Sequence, residues 1–331
     1  MRFTTEVTLP HDIPEISHAT RMLLMGSCFA QNIGRRLADA KFCVDVNPFG
    51  ILYNPLSIGE ALRRIILGRL FDEGSPEVFM HNGLWHSCLH HGDFSRADKA
   101  ELLSAVNVRL QKAHEAVKHP DMLMLTFGTA YVYRSTADGR VVGNCHKLPQ
   151  SNFIRTLLTV DDIVCEMSQV IELLQSLSPS VKVLFSVSPI RHLRDGAHDN
   201  QVSKATLLLA TEELCRRFPH NCSYFPSYEI VLDELRDYRF YAEDMLHPSE
   251  VAQEYLWERF SSCCFSPATR RVCDEVQQLK RALEHRPFDP SSAQYRSFLS
   301  KILLKIAELQ KKYPYFEFEN EISRCNILLK E

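Results

Sequence analysis

The 331-residue chain has no apolar run long enough to cross a bilayer. Its opening residues, Met1-Arg2-Phe3-Thr4-Thr5-Glu6, hold no apolar stretch of the kind a secretory leader carries. Basic residues are not in excess: 38 Lys and Arg against 41 Asp and Glu leave a net charge of −3, so no electrostatic footprint for nucleic acid is present. The eleven cysteines include no C-x-x-C pair, which argues against a zinc ribbon or a disulfide framework. There is no G-x-S-x-G, so the nucleophile elbow of α/β-hydrolases is disfavoured. Internal repeats and low-complexity segments are also missing. These absences lead us to expect a reduced, cytoplasmic chain with no membrane or nucleic-acid partner, no cofactor and no resident metal.

What is present is ordinary globular composition, 45% hydrophobic and 24% charged. The chain is organised around Met22-Leu23-Leu24-Met25-Gly26-Ser27-Cys28-Phe29-Ala30. An apolar run ending at glycine reads as a strand buried on both faces, and Phe29, Ile33, Leu37 and Ala40 mark one face of a helix directly after it. Gly26 then permits a tight strand-to-helix turn that puts Ser27 at the C-terminal end of a strand, where open α/β sheets bind ligands. Ser27 reads equally well as a helix N-cap.

Further apolar strands follow at 42–46, 122–127 and 181–187. Between them the pattern predicts helices from Ser57 (a capping box with Glu60), over 98–119, over 161–177 and over 203–218. Residues 72–97 read as irregular, and Asp138-Gly139 reads as a hairpin turn that delivers Asn144-Cys145-His146-Lys147. Strands alternating with helices through residue 260 predict a parallel sheet covered on both faces. We expect one domain over 1–265 and a helical extension over 266–331, the latter a hairpin of helices at about 267–284 and 291–313. A homodimer through that hairpin is an expectation of the same reading.

Chemistry concentrates in two places. Ser27 is one, and Asp244 with His247 is the other, a D-x-x-H spacing that lets one turn carry carboxylate and imidazole together. Cys28 is a rival nucleophile, but on the first turn of a helix it reads first as a small buried hydrophobe. Cys88, His90, His91 and Asp93 read as polar loop residues rather than metal ligands, because no helical i,i+4 pair supports a site. Arg191 and His192 follow a strand end and either bind substrate or pair with the acidic stretch 233–244. Lys147 is an anion site or a surface charge, and Tyr238, Phe240 and Tyr241 are packing residues before they are a sugar platform.

Gly26-Ser27-Cys28-Phe29-Ala30, Asn47-Pro48-Phe49-Gly50, Asn144-Cys145-His146-Lys147, Ser188-Pro189-Ile190-Arg191-His192 and Asp244-Met245-Leu246-His247-Pro248 resemble, in order, the sequence blocks of the GSCFA family over residues 20–260. That family is grouped with the SGNH (GDSL-like) hydrolases, which include esterases, lipases and carbohydrate O-acetylesterases. The resemblance implies a flavodoxin-like α/β/α domain, Ser27 as nucleophile and Asp244–His247 as the orienting carboxylate and base. It also implies an oxyanion hole from the amides of Ser27 and Gly50 and a third-block asparagine. Here Ala130 stands where that asparagine belongs, and Thr129, Asn144 and His146 are the candidates to replace it.

The function expected is a serine esterase that removes an O-acyl group from a carbohydrate or small metabolite. An O-acyltransferase with the same triad and a non-catalytic binding module on the same scaffold stay open.

Overall fold

The computed structural model describes residues 5–285, 287–289 and 292–329. The chain divides into two compact units. The first holds residues up to 14, 21–35 and 44–264. The second holds 15–20, 36–43 and the chain from 265 on, so two short stretches that the sequence assigns to the first domain group with the second unit.

In chain order the first part reads β1 (Met22–Gly26), α1 (Cys28–Asp39), β2 (Val44–Val46), α2 (Pro55–Ile66), β3 (Val78–His81), β4 (Leu84–Ser87) and α3 (Lys99–Ala116). It continues with β5 (Met122–Phe127), β6 (Tyr131–Ser135), β7 (Val141–Val142), β8 (Phe153–Leu157), α4 (Val160–Leu177) and β9 (Lys182–Val187). Then come α5 (Gly196–Arg217), β10 (Cys222–Tyr224), the short α6 (Ser227–Glu229) and α7 (Glu250–Cys264). Five strands form a parallel sheet in the order β10-β9-β5-β1-β2. Counting these five alone, the order is 2-1-3-4-5, a doubly wound arrangement whose switch point lies between β1 and β5.

Alternation along the buried strands sorts the side chains onto two faces. Leu23, Met25, Leu123, Leu125, Phe127, Val183 and Phe185 join the core formed with residues of α2, α3, α4 and α5, among them Leu62, Val106, Ile171 and Leu207. Leu24, Met124, Thr126, Leu184 and Ser186 line the opposite side with Phe29 and Ile33 of α1 and Phe260 of α7. The near-continuous apolar runs of β1 and β5 therefore follow from helices covering both faces.

Four elements differ from the sequence reading. Residues 72–97 contain an antiparallel hairpin, β3–β4, turning at Asn82 (φ 50°) and Gly83 (φ 76°), the left-handed pair that Asn-Gly favours. β8 is a further strand, paired with β6. The cap of α2 is Asn54, whose Oδ1 accepts the Ser57 amide at 2.8 Å with Pro55 on the first turn, rather than Ser57 itself. And α5 begins at Gly196, a full two turns before Ser203, because Asn200, Ser203 and Lys204 are buried on it.

The second unit contains α8 (Pro267–Glu284), α9 (Ala293–Lys312) and α10 (Glu319–Leu328), so the C-terminal hairpin has a third helix. Val272, Val276, Leu279 and Leu283 of α8 pack with Leu299, Ile302, Ile306 and Leu309 of α9 at helical spacing. His18 stacks on Phe42 at 4.1 Å, and Lys41 pairs with Glu321 at 2.6 Å. No described helix is long and apolar enough to cross a membrane.

Candidate active site

The turn from β1 to α1 is shaped by close approach to β5. Gly26 sits at φ 138°, and a Cβ there would lie 2.2 Å from the Thr126 carbonyl oxygen, so only glycine fits. Its amide donates to Asn47 Oδ1 at 2.9 Å. The Ser27 amide donates to the Thr126 carbonyl at 3.2 Å. Ser27 is 1% exposed, and its Oγ accepts the Phe29 amide at 3.3 Å, which makes it the cap of α1. Cys28, one residue on, is only half-buried and turns to a different environment.

That environment is a small cavity of about 100 Å³ lined by Cys28, Asn32, Pro189, Ile190, His247 and Gln253, with apolar residues of α1 and α7. His247 arrives on a tightly folded loop. Tyr241 and Pro248 bridge its two ends, the Ala242 amide donates to the His247 carbonyl at 2.8 Å, and Met245 takes a left-handed φ of 59°. Asp244 Oδ1 accepts the amides of Leu246 and His247, both at 2.9 Å, and Oδ2 meets His247 Nδ1 at 2.5 Å. The two backbone donors, followed by the imidazole, hold the Asp244 carboxyl down to about 2, so it stays ionised. A carboxylate on Nδ1 leaves Nε2 as the basic nitrogen, the orientation that a general base needs.

Two further links hold this loop. Arg191 Nη2 donates to the Met245 carbonyl at 2.9 Å, and its guanidinium lies over Tyr241 at 4.3 Å and Tyr238 at 5.4 Å. Arg191 thus clamps the loop through a carbonyl and two rings, and among the described residues it has no ion pair with the acidic stretch. From the other side Asn32 of α1 donates to Gln253 of α7, whose Nε2 donates to the Pro248 carbonyl at 3.0 Å.

Tyr53, which the sequence shows only as part of a turn-rich loop, brings its hydroxyl beside the Cys28 thiol. Its carbonyl accepts the amides of Gly128 at 2.7 Å and Thr129 at 3.1 Å, so the loop after β2 is stitched to the end of β5. Burial and the neighbouring sulfur push the Tyr53 hydroxyl up to about 12 and keep it a donor. The Cys28 thiol is raised by burial, against the opposing pull of the Tyr53 hydroxyl and its own amide. His192 meets the Tyr53 ring edge-on at 5.6 Å, and its amide donates to Asn200 Oδ1 at 2.9 Å. Burial first, then Lys204 and His247, lower His192 to about 4, which keeps it neutral.

Lys204 of α5 is 1% exposed, and its ammonium donates to the carbonyls of Gly128 at 2.7 Å and Ser188 at 2.6 Å. It ties the ends of β5 and β9 together.

The expected oxyanion donors are otherwise engaged. Gly50 donates its amide to the Asn47 carbonyl at 2.8 Å in a turn, and a Cβ on it would strike His91 at 2.3 Å, so it is a packing glycine. The Ser27 amide is held by β5. Thr129 Oγ1 meets Ser203 Oγ at 3.1 Å and accepts the Tyr131 amide, while Ala130 is fully buried with its amide on Ser203 Oγ. Asn144 accepts the His146 amide at 2.8 Å, and His146 Nε2 meets the Ser87 carbonyl at 2.8 Å beside His86. These last two belong to the packing of the β3–β4 and β6–β7 hairpins and do not line the cavity. His90 is buried against Phe49 and on Ser87 Oγ, and Lys147 is exposed. Among the described residues no group of three His, Cys, Asp or Glu could hold a metal.

The blocks singled out in the sequence thus fall along one stretch of a family pattern, and residues 21–260 match the model of the GSCFA family. The chain belongs to the GSCFA family. Residues 276–331 match the model described as GSCFA domain protein, C-terminal domain. No curated protein matches the chain. Within this GSCFA chain the first and last blocks share the cavity, through Cys28 and His247, and the Ser-Pro-Ile-Arg-His block supplies two of its walls and the clamp on the loop.

Proposed function

We propose that the chain is an acyl-transfer enzyme of the SGNH type that cleaves small O-acyl esters, with His247 as general base and Asp244 fixing its tautomer. The observation that carries this reading is the Asp244–His247 pair opening onto a cavity at the switch-point edge of the parallel sheet, against the first turn of α1. The nucleophile comes from the turn at Ser27 and Cys28. A cavity of about 100 Å³ suits an acetyl-sized group, with the alcohol part of the ester left outside. A carbohydrate or small metabolite is the proposed alcohol, by analogy with the superfamily.

The engagement of the Ser27 and Gly50 amides favours one second reading, a ligand-binding module that has kept the scaffold. The two are separated by p-nitrophenyl acetate turnover in wild type and His247→Gln, with folding checked by circular dichroism. Turnover that His247→Gln lowers by at least about 100-fold supports the enzyme. Equal rates in the two proteins overturn it.

A further inference from the structure

Resting on the acyl-transfer reading, we infer that the nucleophile is the thiol of Cys28 rather than the hydroxyl of Ser27. The two neighbours on the turn have divided their roles. Ser27 is 1% exposed and its oxygen is occupied by the Phe29 amide, so it has neither access to a substrate nor a lone base beside it. Cys28 is half-buried and lines the same cavity as His247, whose Nδ1 meets the Asp244 carboxylate. A buried structural cysteine packs among apolar side chains. Cys28 instead has the Tyr53 hydroxyl as a neighbour and stands on the first turn of a helix, where the dipole favours a thiolate.

The step balances without any outside oxidant or reductant. His247 Nε2 takes the thiol proton as Cys28 Sγ bonds to the acyl carbon, and the carbonyl electron pair moves onto oxygen. When that oxyanion collapses, the ester C–O bond breaks and the leaving alkoxide takes the proton from His247. Water then adds to the thioester, giving its proton to His247, and the C–S bond breaks as that proton returns to sulfur. Burial keeps Cys28 protonated at rest, so the chemistry depends on the base.

Peptide mapping of acetylated protein decides the point. Wild type treated with p-nitrophenyl acetate is expected to carry acetyl on Cys28 as a bond cleaved by neutral hydroxylamine, the behaviour of a thioester. Turnover falls at least about 100-fold in Cys28→Ala and about tenfold or more in the near-isosteric Cys28→Ser, while Ser27→Ala stays within about tenfold of wild type. Acetyl on Ser27, or full turnover in Cys28→Ala, overturns the assignment. Iodoacetamide separates it from the parent reading: Cys28 is expected to alkylate at least about tenfold faster in wild type than in His247→Gln. Such alkylation without ester turnover sinks the ester reading and supports the thiol. Ester turnover with Cys28 alkylating equally in both proteins does the reverse.

Discussion

Replacing Lys204 with methionine tests how the ends of β5 and β9 are held at the edge of the site. The ammonium is 1% exposed and bridges the carbonyls of Gly128 and Ser188 at 2.7 and 2.6 Å. Burial lowers Lys204 to about 7, against about 10.4 in an unfolded chain. Below pH 7 both states are protonated, and the folded state bears the full cost of the buried charge. As the pH rises from 7 towards 10.4, only the unfolded chain still binds the proton, so this cost is relieved and the fold gains stability. The gain is about 1.4 kcal/mol per pH unit, or about 2 kcal/mol between pH 7.5 and 9. Lys204→Met keeps the stem's volume, has no charge to relieve, and leaves two buried carbonyls without a donor at about 1–3 kcal/mol each. Urea unfolding of both proteins at pH 7.5 and 9 is the assay. Subtracting the variant removes the opposing effect of thiols that burial raises, such as Cys222, and that ionise first in the unfolded state. Wild type is expected to gain about 2 kcal/mol on the variant over this interval. Parallel curves refute the reasoning, because they mean that the two carbonyls compensate the charge in full.

Asp244→Asn presents an amide donor to His247 Nδ1 and reverses the tautomer, so turnover of p-nitrophenyl acetate is expected to fall by between about 10-fold and about 10⁴-fold with little change in KM; a fall in KM-dependent binding alone contradicts the role given to the pair. Arg191→Ala removes the donor to the Met245 carbonyl and the cation over two tyrosines, and is expected to speed hydrogen exchange at the Leu246 and His247 amides while costing about 1–3 kcal/mol. Unchanged exchange there means that the loop holds itself. Gly26→Ala forces a Cβ to 2.2 Å from the Thr126 carbonyl at a φ of 138°, and thermal unfolding is expected to report a loss above about 3 kcal/mol. His90 is lowered to about 3, chiefly by burial, so acid protonates the unfolded chain first and stability is lost as the pH falls below about 6.5. From pH 6.5 to 5 that is about 2 kcal/mol, and His90→Phe, which suits the stack on Phe49, Phe71 and Phe94, is expected to lose that much less in urea melts at the two pH values.

The parallel sheet was legible because its strands announce themselves. Met22–Met25 is a continuous apolar run, and Met122–Phe127 and Val181–Val187 are nearly so, broken by Thr126 and by Lys182 and Ser186; such short runs suit strands covered on both faces. The Asp138-Gly139 hairpin was legible by its turn residues. The Asn82-Gly83 hairpin carries the same signal but stands among histidines and aromatics with no clean alternation, and the first two turns of α5 lack an apolar stripe because what they bury is polar, at Asn200 and Ser203. The three-residue spacing of Asp244 and His247 was likewise enough to place carboxylate and imidazole on one loop, since that contact is local.

Which atoms face the cavity could not be read in the same way. Ser27 and Cys28 differ by one position, and the sequence by itself favours the serine as the chemical residue and the cysteine as packing. The choice is made by β5: the Thr126 carbonyl sits against Gly26 and takes the Ser27 amide, which turns Ser27 inward as a cap and leaves Cys28 toward His247. Tyr53, Gly128 and Lys204 meet there only because strands far apart in sequence are neighbours in the sheet. Local composition and spacing determine elements and short-range pairs. The direction in which a side chain points at a strand end depends on the neighbouring strand's carbonyls, and those are set by tertiary structure alone.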